Sequence, residues 1–245
     1  MLDGRTASWP EVEASARNGS VAVLPFGAFE QHGPHMPLST DTIMAQELAR
    51  RLAALADALL LPPVHYGETS GNNGFPGTIS LGFDTVRSIA LDIAASLRRG
   101  GVAGLVVVNG DYGNQAPLKL AAREAREKLG YPVLVIDYPG LPEVAAEVSQ
   151  TPSAGFGFYH ADEVETSIVL AVEPAAVKME LARAEYPSFP PAYGSTPVPL
   201  RELSSSGVFG DPRGASAEKG ERMLDALTER AWHVMESFVA GLAAG

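Results

Sequence analysis

Short runs of valine, leucine and isoleucine alternate along this chain with longer stretches in which apolar residues recur every three or four positions. Apolar runs without polar alternation read as strands buried on both faces, and the longer stretches read as helices packed against them. The pattern therefore predicts an α/β fold, a single-domain sandwich over 1–245 around a mainly parallel β-sheet flanked by helices. The strand candidates are VAVLPF from Val21, ALLLPPV from Ala58, GLVVVNG from Gly104 and PVLVIDY from Pro132. Helices are expected over Thr42–Leu55, Thr85–Arg99 and Ala116–Leu129, the first two with Asp41 and Asp84 as N-caps, and a last one from about Ala217 to Ala240. The apolar run Thr166–Val172 fits a helix or a buried strand equally well. From about 186 to 212 the chain turns to Pro, Ser, Gly and Tyr with little periodicity, a long irregular excursion of the kind that often covers a site.

Composition narrows the chemistry. There is no cysteine among the 245 residues, so a transition metal would have to be held by imidazole and carboxylate. The formal net charge is -11, from 29 acids against 18 bases, and no stripe of Lys and Arg is present to neutralise phosphates, so nucleic acid is not an expected partner. The first twenty residues lack the basic start and apolar stretch of a signal peptide, and no run approaches the ~18 apolar residues of a membrane span. A cytoplasmic protein acting on a small molecule, with no membrane partner, is the expectation.

In an open α/β sheet, ligands bind beyond the carboxyl ends of the strands, which gives three segments first claim on function. After the first apolar run, FGAFEQHGPHMPLSTD gathers Glu30, His32, His35 and Asp41 in one loop that ends at a helix start. Glu30 and His32 are one residue apart and share a face of an extended segment, while the Gly33-Pro34 turn can fold Asp41 back toward them. One loop can so supply three metal ligands, and a bridging aspartate suits a dinuclear hydrolytic centre. After the third run, NGDYGN makes a tight turn that aims Asp111 at the crevice, although Asn, Asp and Gly are also what any sharp turn uses. The third segment, YHADEVETS, carries His160, Asp162, Glu163 and Glu165 into an apolar run and fits either a helix N-terminus or a ligand loop.

Taken together, these segments resemble the creatininase family over nearly the whole chain. The motif LPFGAFEQHGPHMPLSTD is the most specific part, with FPGTISLG (75–82), the His160–Ser167 stretch and GVFGDPRGASAEKGE (207–221) also family-like. The resemblance implies metal binding by Glu30, His32 and Asp41. Three positions depart from it. Asp111 stands where family members reading NGHGGN or NGHYEN place a ligating histidine, which favours harder ions. Gly113 stands where NGHYEN supplies a glutamate, leaving Glu165 as the candidate for the remaining carboxylate ligand. Gly71, Asn72 and Asn73 stand where many relatives carry a Glu-His pair before FPGT.

The resemblance implies one or two divalent ions, zinc, manganese or iron, activating a water against an amide carbonyl. His160 would serve as general acid or base near the leaving nitrogen, and Tyr112 would donate to the developing oxyanion. The implied substrate is a small amide, formamide or cyclic amide. Creatinine itself is disfavoured by Gly113 and by the absence of tryptophans other than Trp9 and Trp232, since flat cations are commonly held between aromatics. Two alternatives stand beside this: a metal-dependent lyase, isomerase or ring hydrolase acting on a hydroxyketone or sugar-like compound, and a metal-poor binding relative without turnover. His35 reads as loop structure or as support for the ligands, His65 as a pocket-lining candidate, and His233 as a helix residue. Apolar helix faces, with the resemblance, imply a homo-oligomer such as a hexamer.

Overall fold

A computed structural model describes residues 1–155 and 157–243. Five strands form one sheet, all pairs parallel: β1 (Leu2–Asp3), β2 (Ala22–Phe26), β3 (Leu59–Leu60), β4 (Leu105–Asn109) and β5 (Val133–Ile136), in the order β1-β3-β2-β4-β5. The expected α/β architecture is present. The second apolar run is shorter as a strand than its sequence suggests, because Pro62 and Pro63 have no N–H to give the ladder. Its path continues only as a parallel bridge from Val64 to Phe26.

The helices are α1 (Trp9–Arg17), α2 (Thr40–Leu55), α3 (Phe83–Arg99), α4 (Gln115–Glu124), α5 (Leu141–Val148), α6 (Glu163–Val172), α7 (Leu200–Leu203) and α8 (Ala217–Ala243). Side chains alternate across each strand, so the sheet feeds two cores. Val23, Val106, Val108 and Ile136 meet α2, α5, α6 and α8 on one side. Ala22, Leu24, Phe26, Leu105 and Val107 meet α1, α3 and α4 on the other.

Several expectations change in detail. Residue 39 rather than Asp41 caps α2, and Gly82 rather than Asp84 caps α3; both aspartates lie in the first helical turn, where the N-terminal dipole still favours a carboxylate. The expected helix to Leu129 changes at Ala125 into one π-type turn ending at Gly130. The ambiguous run after the third site segment is helical, because Asp162 accepts from the N–H groups of Val164 and Glu165 and starts α6. The excursion is not wholly irregular: it contains α7 and a 3-10 turn at Pro212–Gly214, and it is pinned by bridges from Glu185 to Gly210 and from His160 to Phe209. Among the described residues no helix is long and apolar enough to cross a membrane.

From β2 the chain goes to β3 on one side and returns to β4 on the other, so the crevice at the carboxyl ends of β2 and β4 is a topological switch point. α6 closes one wall of this crevice and is held there by α8, whose Gly220 lies so near that a Cβ would fall 1.9 Å from the Ser167 carbonyl oxygen. Gly220→Ala would gain about 1 kcal/mol of helix propensity, against roughly 1–3 kcal/mol for overpacking. We therefore expect a net loss of stability in urea unfolding; a stabilised variant would mean that α8 is free to move away from α6.

Candidate metal centre

Three loops converge on the crevice. The first runs from β2 to α2 and carries Glu30 and His32, with Asp41 in the opening turn of α2. A backbone bond from Glu30 N to Leu38 O, 2.9 Å, folds this loop back on itself and brings Asp41 beside His32. The second is the turn after β4. Asn109 builds it by donating to the Asp111 carbonyl and to Asp137, each at 2.8 Å, while its own Oδ1 accepts from Asp111 N at 3.2 Å. The third is the start of α6, where Glu165 accepts from Ala161 N at 2.6 Å.

Glu30, His32, Asp41, Asp111 and Glu165 come together, and all but half-buried Asp111 are buried. Two sets of potential ligand atoms share Asp41: Glu30, Asp41 and Asp111, and His32, Asp41 and Glu165; a third set joins Glu30 and His32 to His160. Each set has its atoms within 4.8 Å of one another.

The polar state of His32 decides what the cluster can hold. Its Nδ1 lies 3.2 Å from the carbonyl oxygen of Glu30, an atom that can only accept, so Nδ1 carries the hydrogen. Nε2 then faces carboxylate oxygens of Asp41 at 3.2 Å, Glu165 at 3.6 Å and Glu30 at 3.8 Å. Oδ2 of Asp41 and Oδ2 of Asp111 are buried without partners. A bare Nε2 facing three carboxylates in a dry place is repulsive, so a proton or a metal ion must sit between them. The donor set, imidazole with carboxylates and no thiolate, fits a divalent metal.

Electrostatics say the same. Burial, then the charges of Asp111 and Asp41, push the Glu30 carboxyl well above its ordinary range, and burial and Asp41 do so for Asp111. Burial lifts Glu165 to about 8 despite the opposing pull of His32. Burial by itself would lower His32, but Asp41, Glu165 and Glu30 outweigh it and hold its proton tightly. Without metal, the cluster keeps protons.

The other expected residues are placed as follows. His160 is buried beside the cluster, its ring centroid 4.4 Å from that of His32 and its Nδ1 3.6 Å from Glu30. Tyr112 is 79% exposed on the turn that carries Asp111. His35 is buried and bonded to Thr166 Oγ1 at 3.0 Å, a support between the first loop and α6. His65 and His233 are exposed.

Four residues escaped the sequence reading. Asn72 donates to Glu30 Oε2 at 2.7 Å and so fixes that carboxylate from a 3-10 turn. Gln31 links Asn72 to His160. Tyr138, at φ 49 just past β5, buries an unpartnered hydroxyl. Glu68 explains Gly113: a Cβ there would lie 1.9 Å from the Glu68 carbonyl oxygen and 2.7 Å from its carboxylate. Glu68 N is held by Asn114 Oδ1 at 2.8 Å, so a carboxylate from the loop after β3 fills the space a side chain at 113 would enter. Asn72 alone had a signal, its departure from the family pattern.

The model for the creatinine amidohydrolase family, creatininase, matches residues 5–235. A creatinine amidohydrolase from Pseudomonas putida is 32% identical over 91% of this chain and 91% of its own length. A mycofactocin precursor peptide peptidase from Mycolicibacterium smegmatis is 32% identical over 83% of this chain and 79% of its own. A solved structure described as creatininase Mn superimposes with a TM-score of 0.84 at 31% identity, covering 97% of this chain and 98% of that one.

The shifts have a signed consequence for the metal-free protein. Groups whose proton is held more tightly when folded, here His32 and Glu165, lose their contribution as pH rises toward and through their folded values. His35, lowered to about 4, and His160, lowered by burial and by His32, act oppositely but only below the ordinary histidine value of 6.5. Between pH 6.5 and about 8, metal-free protein should therefore become less stable as pH rises, and added manganese should cancel or reverse the trend because ligands shed protons to bind it. Calorimetric melting with chelator and with manganese checks this; the same slope in both would remove the ion from the cluster.

Proposed function

We infer that this chain, which belongs to the creatininase family of amidohydrolases, is a metal-dependent hydrolase of a C–N bond in a small amide, formamide or cyclic amide other than creatinine. The observation that carries the metal dependence is the convergence of three carboxylates on Nε2 of a buried His32. Glu30, Asp41 and Asp111 would hold one ion, and His32, Asp41 and Glu165 a second, with Asp41 shared between them. When bound, such ions supply Lewis acidity toward a carbonyl oxygen and make a water acidic enough to attack it near neutral pH.

The protein's own groups supply position and exclusion. Asn72 holds Glu30 in place, and the Ala161 N–H holds Glu165. Phe158 stacks on His160 with ring centroids 5.7 Å apart, and Phe209 meets the same ring edgewise at 5.9 Å, so the wall behind His160 is apolar. Against creatinine stands the lack of an indole at the centre: Trp9 is 76% exposed on α1, and Trp232, on α8, packs against the core.

Protein purified without added metal should retain about one or two equivalents of zinc, manganese or iron per chain. Asp41→Ala should lower that content about tenfold or more, since it removes a ligand from both sets. Asp111→His should gain zinc selectively. Turnover of formamides and small amides in heavy-oxygen water should leave a solvent oxygen in the product; product formation without it points to isomerase or lyase chemistry instead. A parent that stays empty after incubation with each ion would overturn the hydrolase reading.

A further inference from the structure

The hydrogen bonds around Gln31 determine more than the position of its side chain. Oε1 accepts from Gly33 N at 2.9 Å, and Nε2 faces the Gly207 carbonyl oxygen at 3.3 Å and Asn72 Oδ1 at 2.8 Å. A backbone N–H can only donate and a carbonyl can only accept. Turning the amide over would set N–H against N–H at Gly33 and oxygen against oxygen at Gly207. Asn72 cannot turn over to compensate, because its Nδ2 is needed as donor to Glu30 Oε2 at 2.7 Å. The atom that Gln31 presents to His160, 2.6 Å from Nε2 of the ring, is therefore the amide NH2.

An amide nitrogen has no lone pair to accept with. His160 Nε2 must then be the acceptor, and the proton of the neutral ring lies on Nδ1. One amide hydrogen goes to His160, and Asn72 and Gly207 share the other. Nδ1 is the atom turned toward the cluster, 3.6 Å from Glu30. His32, whose ring is 4.4 Å away, turns the other nitrogen, Nε2, to the cluster and directs the hydrogen on Nδ1 to a backbone carbonyl.

We propose that Gln31 is a positioning residue that fixes His160 as the Nδ1–H tautomer, so that His160 offers the centre a hydrogen-bond donor and no lone pair for a metal. This removes His160 from the set it forms with Glu30 and His32 and leaves the two sets that share Asp41 as the ligand groups. In the hydrolase reading, on which only this last role rests, the Nδ1–H would meet the oxygen or nitrogen of the substrate that gains negative charge. The excursion contributes through the Gly207 carbonyl, which helps to orient the amide from the far side of the chain.

The test is a two-bond 1H–15N correlation of the histidine rings in the full chain, recorded metal-free and zinc-loaded. With five histidines, His160 is assigned by its loss in His160→Asn. The expected spectrum gives His160 a protonated Nδ1 and a bare Nε2 in both states, while the His32 signals move on adding zinc. In Gln31→Glu the carboxylate can only accept, and the His160 pattern should invert or become that of the doubly protonated ring. An Nε2–H pattern in the parent, or an Nδ1 signal that loses its proton on zinc loading, overturns the proposal whether or not Gln31→Glu folds. Because the tautomer is read in the metal-free protein as well, failure to bind zinc, manganese or iron, or to turn over amides, would sink the hydrolase reading and leave this result standing.

Discussion

Three buried carboxylates around one imidazole, with a fourth, half-buried one beside them, set the terms for everything near them. Taking even one such charge out of water costs several kcal/mol after relaxation, and like charges within 4 Å of a shared centre add to that cost. Glu30, Asp41 and Glu165 nevertheless meet at His32, with Asp111 beside Glu30 and Asp41, and the surrounding fold is arranged to make this tolerable. Asp41 lies in the first turn of α2 and Glu165 in the first turn of α6, where aligned peptide dipoles favour negative charge. The switch point between β2 and β4 is what allows loops from two strands and two helix starts to reach one place.

Support then passes outward through neutral hydrogen bonds. Asn72 bonds to Glu30, Gln31 to Asn72 and His160, and the Gly207 carbonyl to Gln31, so the first loop, the 3-10 turn at Ser70–Asn72 and the end of the excursion form one network. Each member is nearly saturated, which gives a buried polar network direction as well as stability. Phe158, Phe189 and Phe209 pack around it, and the excursion owes its order to those rings and to the Glu185–Gly210 bridge rather than to periodic helix. A pattern of Pro, Ser and Gly could announce a covering segment. It could not announce that Gly207 would orient an amide 176 residues away in sequence.

What the sequence made legible was local. Val21–Phe26 and Gly104–Gly110 read as strands because their apolar runs are unbroken, and Glu30, His32 and Asp41 read as a cluster because one loop carries all three. Asp111 and Glu165 needed the family resemblance, since turn chemistry and a helix start explained them equally well. The start of α6 was ambiguous because a fully buried helix shows no polar face, and only the Asp162 cap distinguishes it. Glu68 and Tyr138 were illegible for another reason: their importance lies in what they approach, a Cβ-sized space at Gly113 and a buried pocket near Asp41 and Glu165, and approach is a property of three dimensions. Tyr112 is exposed beside half-buried Asp111, since a turn that aims one side chain inward sends its neighbour out.

The two ligand sets that share Asp41 are chemically unequal. Glu30, Asp41 and Asp111 offer oxygen only, whereas His32, Asp41 and Glu165 offer one nitrogen. Hard ions such as manganese or magnesium prefer the first, and an imidazole-bearing set suits zinc. A histidine at 111 would make the sets alike; aspartate makes them differ and adds a negative charge to the half that already carries Glu30. With two divalent ions the four carboxylates are neutralised in full, and with histidine at 111 one positive charge would be left over. The carboxylate of Glu68, beside Gly113 and close enough to raise the proton affinity of Asp111, adds further negative potential at the same end. The substitution at 111 and the glycine at 113 thus act in one direction, toward a centre that is more oxygen-rich and more negative at the β4 turn than at α6.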